Sequence, residues 1–114
     1  MNKKRLVLVG WDGADWKVAR PLMNQGHMPQ LQNMVKNGAS GNLASFAPYL
    51  SPMLWSTIAA GKYPHKHGIA GFSEVCDATG KIRPVSSVSR RCKAIWSILT
   101  EQGLKCHMFG WFAS

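Results

Sequence analysis

The sequence predicts an α/β fold built on a mostly parallel sheet. Short apolar runs typical of strands are separated by segments whose apolar residues recur at helical spacing, and this alternation is typical of layered α/β domains. Hydrophobic residues make up 46% of the chain and charged residues 17%, a composition that favours folding around a core. The length of 114 residues excludes two independent domains.

The first part of the chain contains one predicted strand followed by two predicted helices. Residues 5–10 form a short apolar run that ends at a glycine, as in a strand buried on both faces of a parallel sheet. Helical spacing over residues 15–24 predicts a first helix, which Pro21 shortens or kinks. A second helix is predicted over residues 29–37, because a proline lies near its first turn and a glycine follows its end.

The remaining elements continue the alternation. Residues 40–46 alternate and predict a strand, and residues 51–60 predict a helix that ends at a glycine. After these come a loop over residues 62–72, a hairpin over residues 73–85, a helix over residues 89–102 and a strand over residues 104–112. That last strand lacks the neighbours and covering helices that a parallel strand needs. We therefore expect residues 1–114 to be a single incomplete domain, the N-terminal segment of a larger one.

The charge of the chain favours anionic partners. Fourteen Lys and Arg residues against five Asp and Glu residues give a formal net charge of +9. The basic residues are scattered, so the charge pattern does not indicate nucleic acid as a partner. Three widely spaced cysteines fit neither a disulfide scaffold nor a paired zinc motif.

The sequence gives no indication of a membrane partner. No apolar run approaches the roughly 18–20 residues that a membrane span requires. The apolar run over residues 6–9 is also too short for a secretory signal peptide, and no small-residue cleavage site follows it. We expect a mature cytoplasmic N-terminus.

Two residues are candidates for chemistry. Asp12 directly follows the first predicted strand, and ligands of open α/β sheets bind at the carboxyl ends of strands. Ser51 begins a predicted helix, and helix N-termini bind phosphate. Taken separately, each could be an ordinary turn or capping residue. On one sheet edge, the two would form the pair that a metal-activated serine nucleophile needs.

Three further residues have side chains that can bind metals. His65 and His67 are close enough in sequence to chelate an ion, but nothing in the sequence fixes their geometry. Asp15 is expected to cap the first helix rather than to bind a metal. We therefore assign none of the three as a ligand.

Four ordered blocks of sequence resemble those of one family. They are LVLVGWDG (residues 6–13), MPQL (28–31), LSPMLWS (50–56) and GKYPHKHGI (61–69). The blocks are similar to those of the type I phosphodiesterase and nucleotide pyrophosphatase branch of the alkaline phosphatase superfamily. This resemblance implies that the chain is the N-terminal part of an alkaline-phosphatase-like three-layer α/β/α sandwich with a mostly parallel sheet.

The resemblance also implies a chemistry. It makes Asp12 a ligand of one of two divalent metal ions, expected to be zinc, and makes Ser51 a metal-bound nucleophile that is transiently phosphorylated or nucleotidylated. The activity implied is hydrolysis of phosphoric mono- or diesters in a small phosphorylated or nucleotide substrate. The remaining metal ligands of the family have no counterpart in these residues, so the chain alone is expected to be inactive. The alternative is a small basic α/β module that binds nucleic acid or another polyanion without catalysis.

Overall fold

A computed structural model describes residues 5–113. Within that range the structure is α/β, with five α-helices and one two-stranded antiparallel sheet. The helices are α1 (Trp16–Asn24), α2 (Pro29–Asn37), α3 (Ser51–Ala60), α4 (Pro64–His67) and α5 (Ile95–Glu101), and the strands are β1 (Ser73–Val75) and β2 (Ile82–Pro84). The chain divides into two compact units, Met1–Ala44 and Ser45–Ser114. None of the described helices is long and apolar enough to cross a membrane.

The first unit contains α1 and α2, as the sequence predicts. The Asp15 side chain caps α1 by accepting a hydrogen bond from the backbone N–H of Lys17 at 2.8 Å, which confirms its expected role. The indole N–H of Trp16 donates to the carbonyl of Gly41 at 3.0 Å. This bond ties the start of α1 to the segment that follows α2.

The second unit is built around α3. Four residues of this helix are buried, namely Pro52, Met53, Ser56 and Ala59. The helix ends at Gly61, whose φ of 61° lies in the left-handed region and whose N–H donates to the carbonyl of Thr57 at 2.9 Å. The prediction for residues 51–60 is therefore confirmed.

Two helical predictions in the second unit need correction. The predicted loop over residues 62–72 contains the short helix α4, which contacts α3. The predicted helix over residues 89–102 forms α5 only from Ile95, and a 3-10 turn at Ser87–Ser89 comes before it. The hydroxyl of Ser89 accepts from the N–H of Ser86 at 3.0 Å and donates to Glu74 at 2.8 Å, and these bonds hold the 3-10 turn in place of a longer helix.

The predicted hairpin is confirmed. Strands β1 and β2 pair antiparallel with Glu74 opposite Arg83, and these two side chains form an ion pair at 2.7 Å. The connecting turn closes with a 2.7 Å hydrogen bond from the N–H of Gly80 to the carbonyl of Cys76.

The segments predicted as parallel strands, residues 5–10, 40–46 and 104–112, form no strand in the part of the chain that is described. Leu6, Val7 and Val9 are each at least 80% exposed. A parallel strand is stabilised by hydrogen-bonded neighbours and by helices on both faces, and these segments have neither within residues 5–113. The apolar pattern was therefore insufficient to predict pairing, and the described residues do not form a three-layer sandwich with a parallel sheet.

Candidate active site

Ser51 is the first residue of α3. Leu50 is the capping residue, with an extended backbone, so Ser51 lies one position inside the helix rather than at the cap. Pro52 has no N–H, and the N–H of Leu54 donates to the carbonyl of Leu50 at 3.0 Å. Backbone N–H groups in the first turn of a helix point away from its N-terminal end, where they can contact an anion. The half-buried Ser51 thus lies where a helix favours negative charge.

A buried histidine anchors α3 through its second turn. His67, in α4, is fully buried, and its Nδ1 accepts a hydrogen bond from the N–H of Ile69 at 3.1 Å. Because Nδ1 is an acceptor, Nε2 carries the proton and donates to Thr57 Oγ1 at 3.0 Å. Thr57 Oγ1 in turn donates to the carbonyl of Met53 at 3.0 Å. A continuous chain of hydrogen bonds therefore runs from α4 to the first turn of α3.

The environment of His67 favours its neutral form. Burial lowers the pKa of His67 below its ordinary value of 6.5, and the positive charges of Arg90 and His65 lower the pKa further. A second proton on this ring would also face the N–H of Ile69, which already donates to Nδ1. Both nitrogens of His67 are engaged in the protein interior, so the structure gives it a structural role. That His67 is not a metal ligand stays a prediction.

Tryptophan rings from α5 and from the segment after it pack against α3. The Trp111 indole N–H donates to the carbonyl of Trp55 at 3.2 Å, and the two rings meet edge to face with centroids 5.0 Å apart. Trp96 of α5 contacts Trp111 at 5.9 Å, and the guanidinium of Arg90 lies 5.3 Å from the Trp96 ring. The helix that begins at Ser51 is therefore packed on two sides, against α4 and against this tryptophan cluster.

Asp12 lies in the first unit, in an exposed turn with Gly13, whose φ is 68°. The backbone of this turn includes a long hydrogen bond of 3.4 Å from the N–H of Ala14 to the carbonyl of Trp11. The turn directly follows residues 5–10, as the sequence predicts. That Asp12 and Ser51 share one metal ion stays a prediction, because they belong to different units.

Zinc requires more ligands than these two residues provide. A zinc site takes about four ligands, of which about three are protein side chains in catalytic sites. Asp12 and Ser51 offer oxygen ligands, but no group of three or more His, Cys, Asp or Glu residues within the described range could hold a metal ion. The residues present therefore do not complete a zinc site by themselves.

Thr57 and the helical conformation of α4 were not predicted from the sequence. Thr57 is ten residues from its partner His67, and nothing in a single sequence pairs two such polar residues across a helix and a loop. The only local signal was the proline and glycine that bracket α4, which match the start and end preferences of a short helix. The contact that fixes α3 is thus a tertiary one.

Comparison with known proteins adds a family match. The family model described as "Type I phosphodiesterase / nucleotide pyrophosphatase" matches residues 6–114. No curated protein and no solved structure matches the chain. The matched range includes Asp12, Ser51 and the segment over residues 61–69 that contains α4.

Proposed function

We infer that this chain, which belongs to the type I phosphodiesterase and nucleotide pyrophosphatase family, carries the nucleophile of a phosphoester hydrolase at Ser51. The predicted family is confirmed by the match over residues 6–114. The observation that supports Ser51 most strongly is its place as the first residue of a helix that is packed on two sides and anchored by His67. A nucleophile must be held in a fixed position, and such a helix can hold it.

The proposed reaction has two steps. In the first, the Ser51 hydroxyl gives its proton to solvent water and its Oγ forms a bond to phosphorus. The bond from phosphorus to the leaving-group oxygen breaks, and the leaving group departs with the electron pair of that bond. Backbone N–H groups in the first turn of α3 stabilise the negative charge that develops on the phosphoryl oxygens. In the second step, water cleaves the phosphoryl or nucleotidyl ester and restores the Ser51 hydroxyl.

Ser51 needs a stabilising group in addition to the helix N-terminus to lose its hydroxyl proton at neutral pH. A helix N-terminus stabilises a negative charge by at most about 2 kcal/mol, equivalent to roughly 1.5 pKa units. A bound zinc ion lowers the pKa of its water by many units, to about 7, so a metal acts on the scale that a serine alkoxide needs at neutral pH. We therefore propose that the complete enzyme is metal-dependent, with Asp12 and Ser51 among the ligands.

The proposal extends to the architecture around the site. In the complete domain, we propose that residues 5–10, 40–46 and 104–112 become strands of a mostly parallel sheet within a three-layer sandwich. This pairing would bring the turn at Asp12 and the start of α3 to the carboxyl edge of that sheet. The remaining ligands of the two proposed zinc ions would come from residues outside these 114. The substrate is a small phosphorylated or nucleotide ester.

The test compares matched variants of the protein that contains these residues together with the remaining ligands. With zinc, and with p-nitrophenyl phosphate and its diester analogue as substrates, Ser51→Ala should lower kcat by about 10³-fold or more. Ser56→Ala is the control, because it makes the same substitution in the same helix at a buried position. It should retain nearly full activity. Near-full activity of Ser51→Ala would exclude the mechanism.

A second pair of variants tests the proposed ligand. Asp12→Asn should raise the zinc concentration needed for half-maximal activity by about 10-fold or more, since the amide is a weaker ligand than the carboxylate. Asp77→Asn, in the exposed turn of the hairpin, is the matched control and should leave the zinc dependence unchanged. Oligoanion binding without turnover by the complete protein would instead favour the non-catalytic basic module.

A further inference from the structure

A polar cavity of about 360 Å³ lies between the β1–β2 hairpin and the segment that follows it. We call it the hairpin cavity. Its main lining residues are Glu74, Val75, Asp77 and Arg83 from the hairpin, and Val88 and Arg91 from the following segment. The volume is within the range of about 300–1,000 Å³ that is usual for small-molecule sites. Ser51 does not line this cavity in the described part of the chain.

Arg91 is held at the hairpin cavity by its backbone and by the lack of a side chain at Gly68. The N–H of Arg91 donates to the carbonyl of His67 at 2.9 Å. The Arg91 side chain passes so close to Gly68 that an added Cβ would lie 3.0 Å from its Cγ, Cδ and Nε atoms. Any other residue at position 68 would therefore displace the Arg91 side chain from its place in the cavity.

The guanidinium of Arg91 has no protein partner among the described residues. It is exposed, and the ion pairs in that range join Arg83 to Glu74 and Lys93 to Glu101. The N–H donors of an arginine form a rigid, planar fork that matches the two oxygens of a carboxylate. The fork of Arg91 can therefore bind a carboxylate that comes from outside the chain.

The same cavity carries negative charge at Glu74 and Asp77. Glu74 Oε1 accepts from Arg83 Nε at 2.7 Å and from the Ser89 hydroxyl at 2.8 Å, whereas Oε2 accepts no hydrogen bond within the described range. The Ser89 hydroxyl, then the Arg83 guanidinium and the charge of Arg91, lower the pKa of Glu74 below its ordinary value. Glu74 is therefore an ionised carboxylate with one oxygen open to a cation.

The balance of charge indicates which class of ligand fits. Two arginines and two carboxylates line the hairpin cavity, so their formal charges sum to zero. A simple anion or a simple cation would meet as many like charges as opposite ones. Arg91 and Glu74 form no ion pair with each other, so the open fork and the open oxygen are separated by a gap. A molecule that carries both charges can bridge that gap.

We propose that the hairpin cavity binds a free α-amino acid with an aliphatic side chain. The carboxylate of the ligand pairs with Arg91, its ammonium group pairs with Glu74 Oε2, and its side chain contacts Val75 and Val88. These two valines are 61% and 79% exposed, so covering them contributes hydrophobic burial. This binding goes beyond hydrolysis at Ser51 and does not depend on it.

Isothermal titration calorimetry of the complete protein with L-leucine and two of its derivatives tests the charges of the ligand. N-acetyl-leucine keeps the carboxylate and loses the positive charge, whereas leucinamide keeps the ammonium group and loses the negative charge. Leucine should bind, and each derivative should bind about 10-fold more weakly or worse. All three compounds have the same side chain, so the differences in affinity report the two charges.

Variants of the complete protein test the site itself. Arg91→Ala should weaken leucine binding by about 10- to 100-fold through loss of a charged pair, and Lys36→Ala, which removes the same charge in α2, should bind normally. Gly68→Ala should weaken binding by about 2- to 10-fold, because its Cβ displaces the Arg91 side chain. Gly103→Ala is its matched control, since its φ is also left-handed, at 75°, and its Cβ would contact nothing within 4 Å.

The proposal is overturned if leucine at about 10 mM gives no heat of binding, or if either derivative binds as tightly as leucine. It is overturned equally if Arg91→Ala binds leucine as the unmodified protein does. Equal loss of binding in Gly68→Ala and Gly103→Ala would contradict the placing of Arg91 by Gly68. Ser51→Ala should leave leucine binding unchanged, which separates failure here from failure of the hydrolase proposal.

Discussion

His67 links α4 to α3 through a polar contact in the interior of the second unit. Its ring accepts from Ile69 and donates to Thr57, so every hydrogen-bonding atom of the imidazole has a partner. The cost of burying a polar ring is thereby offset, and the orientation of the ring is fixed. Any change at this residue should act on Ser51 through the position of α3 rather than through contact with substrate.

Replacing this histidine should destabilise the protein. His67→Ala removes a fully buried ring, the donor to Thr57 Oγ1 and the acceptor of the Ile69 N–H, and we expect a loss of about 2–4 kcal/mol in the free energy of unfolding. Urea denaturation followed by tryptophan fluorescence measures this loss. His107→Ala, at an exposed position, should change stability by less than about 0.5 kcal/mol. Equal effects of the two substitutions would contradict the assigned role of His67.

The depressed pKa of His67 predicts how stability depends on pH. Burial, Arg90 and His65 hold this pKa below 6.5 in the folded protein, whereas the unfolded chain protonates near 6.5. As pH falls below that value, the unfolded state binds a proton that the folded state excludes, so this contribution to stability is complete above 6.5 and declines below it. The decline is at most about 1.4 kcal/mol per pH unit.

Denaturation curves between about pH 8 and about pH 5 measure this dependence. His67→Asn should reduce the slope, because the amide stays neutral throughout this range. The two proteins differ only at residue 67, so the difference between the two slopes reports the effect of His67. Identical slopes would show that His67 does not titrate differently on folding.

Among the elements, α3 owes its C-terminal end to Gly61. The φ of 61° at this position lies in the left-handed region, and an added Cβ would contact no atom within 4 Å. Gly61→Ala should therefore cost about 1–2 kcal/mol of stability through the backbone alone. Gly41→Ala has equal space and no left-handed φ, so thermal denaturation should show little change for it. A neutral Gly61→Ala would mean that α3 can end in another way.

The elements differ in how far the sequence determines them. Helices α1, α2 and α3 and the hairpin carry local signals in prolines, glycines and apolar spacing, and all four were predicted. The predicted start of α5 was wrong because Ser89 forms a hydrogen bond with Glu74, fifteen residues away. Helix α4 was missed because its buried face depends on Thr57, in another helix. Residues 5–10 carried a strand pattern, but strand pairing depends on partners rather than on the segment itself.

The candidate site was predicted to a similar extent. Ser51 at the start of a helix followed from the sequence, because proline at a first turn is a local signal. The hydrogen bond between His67 and Thr57 did not follow from the sequence, because it joins residues from separate elements. That Asp12 and Ser51 bind one metal ion stays a prediction, because the two residues belong to different units.

At the scale of the whole molecule, the apolar surface of residues 5–113 is large. Leu6, Leu43 and Phe109 are each more than 80% exposed, and each lies in a segment predicted to be a strand. Burial of one such side chain contributes about 1.5–3 kcal/mol, so these segments favour association with other protein surface.

The chain expressed alone should therefore bind hydrophobic dyes such as ANS or aggregate, as measured by fluorescence and light scattering. The proposed larger domain, in which these segments are strands, should bind much less dye. A monodisperse chain that unfolds cooperatively and binds no dye would contradict the proposal that residues 1–114 are an incomplete domain.

The proposed function depends above all on the attack of Ser51 on phosphorus. The most direct measurement is peptide mass spectrometry of the complete protein, mixed with zinc and the p-nitrophenyl ester and quenched in acid during turnover. We expect one phosphoryl group on the peptide that contains Ser51, and no such adduct in Ser51→Ala. A phosphoryl group on any other residue, or turnover by Ser51→Ala at the unmodified rate, would contradict it.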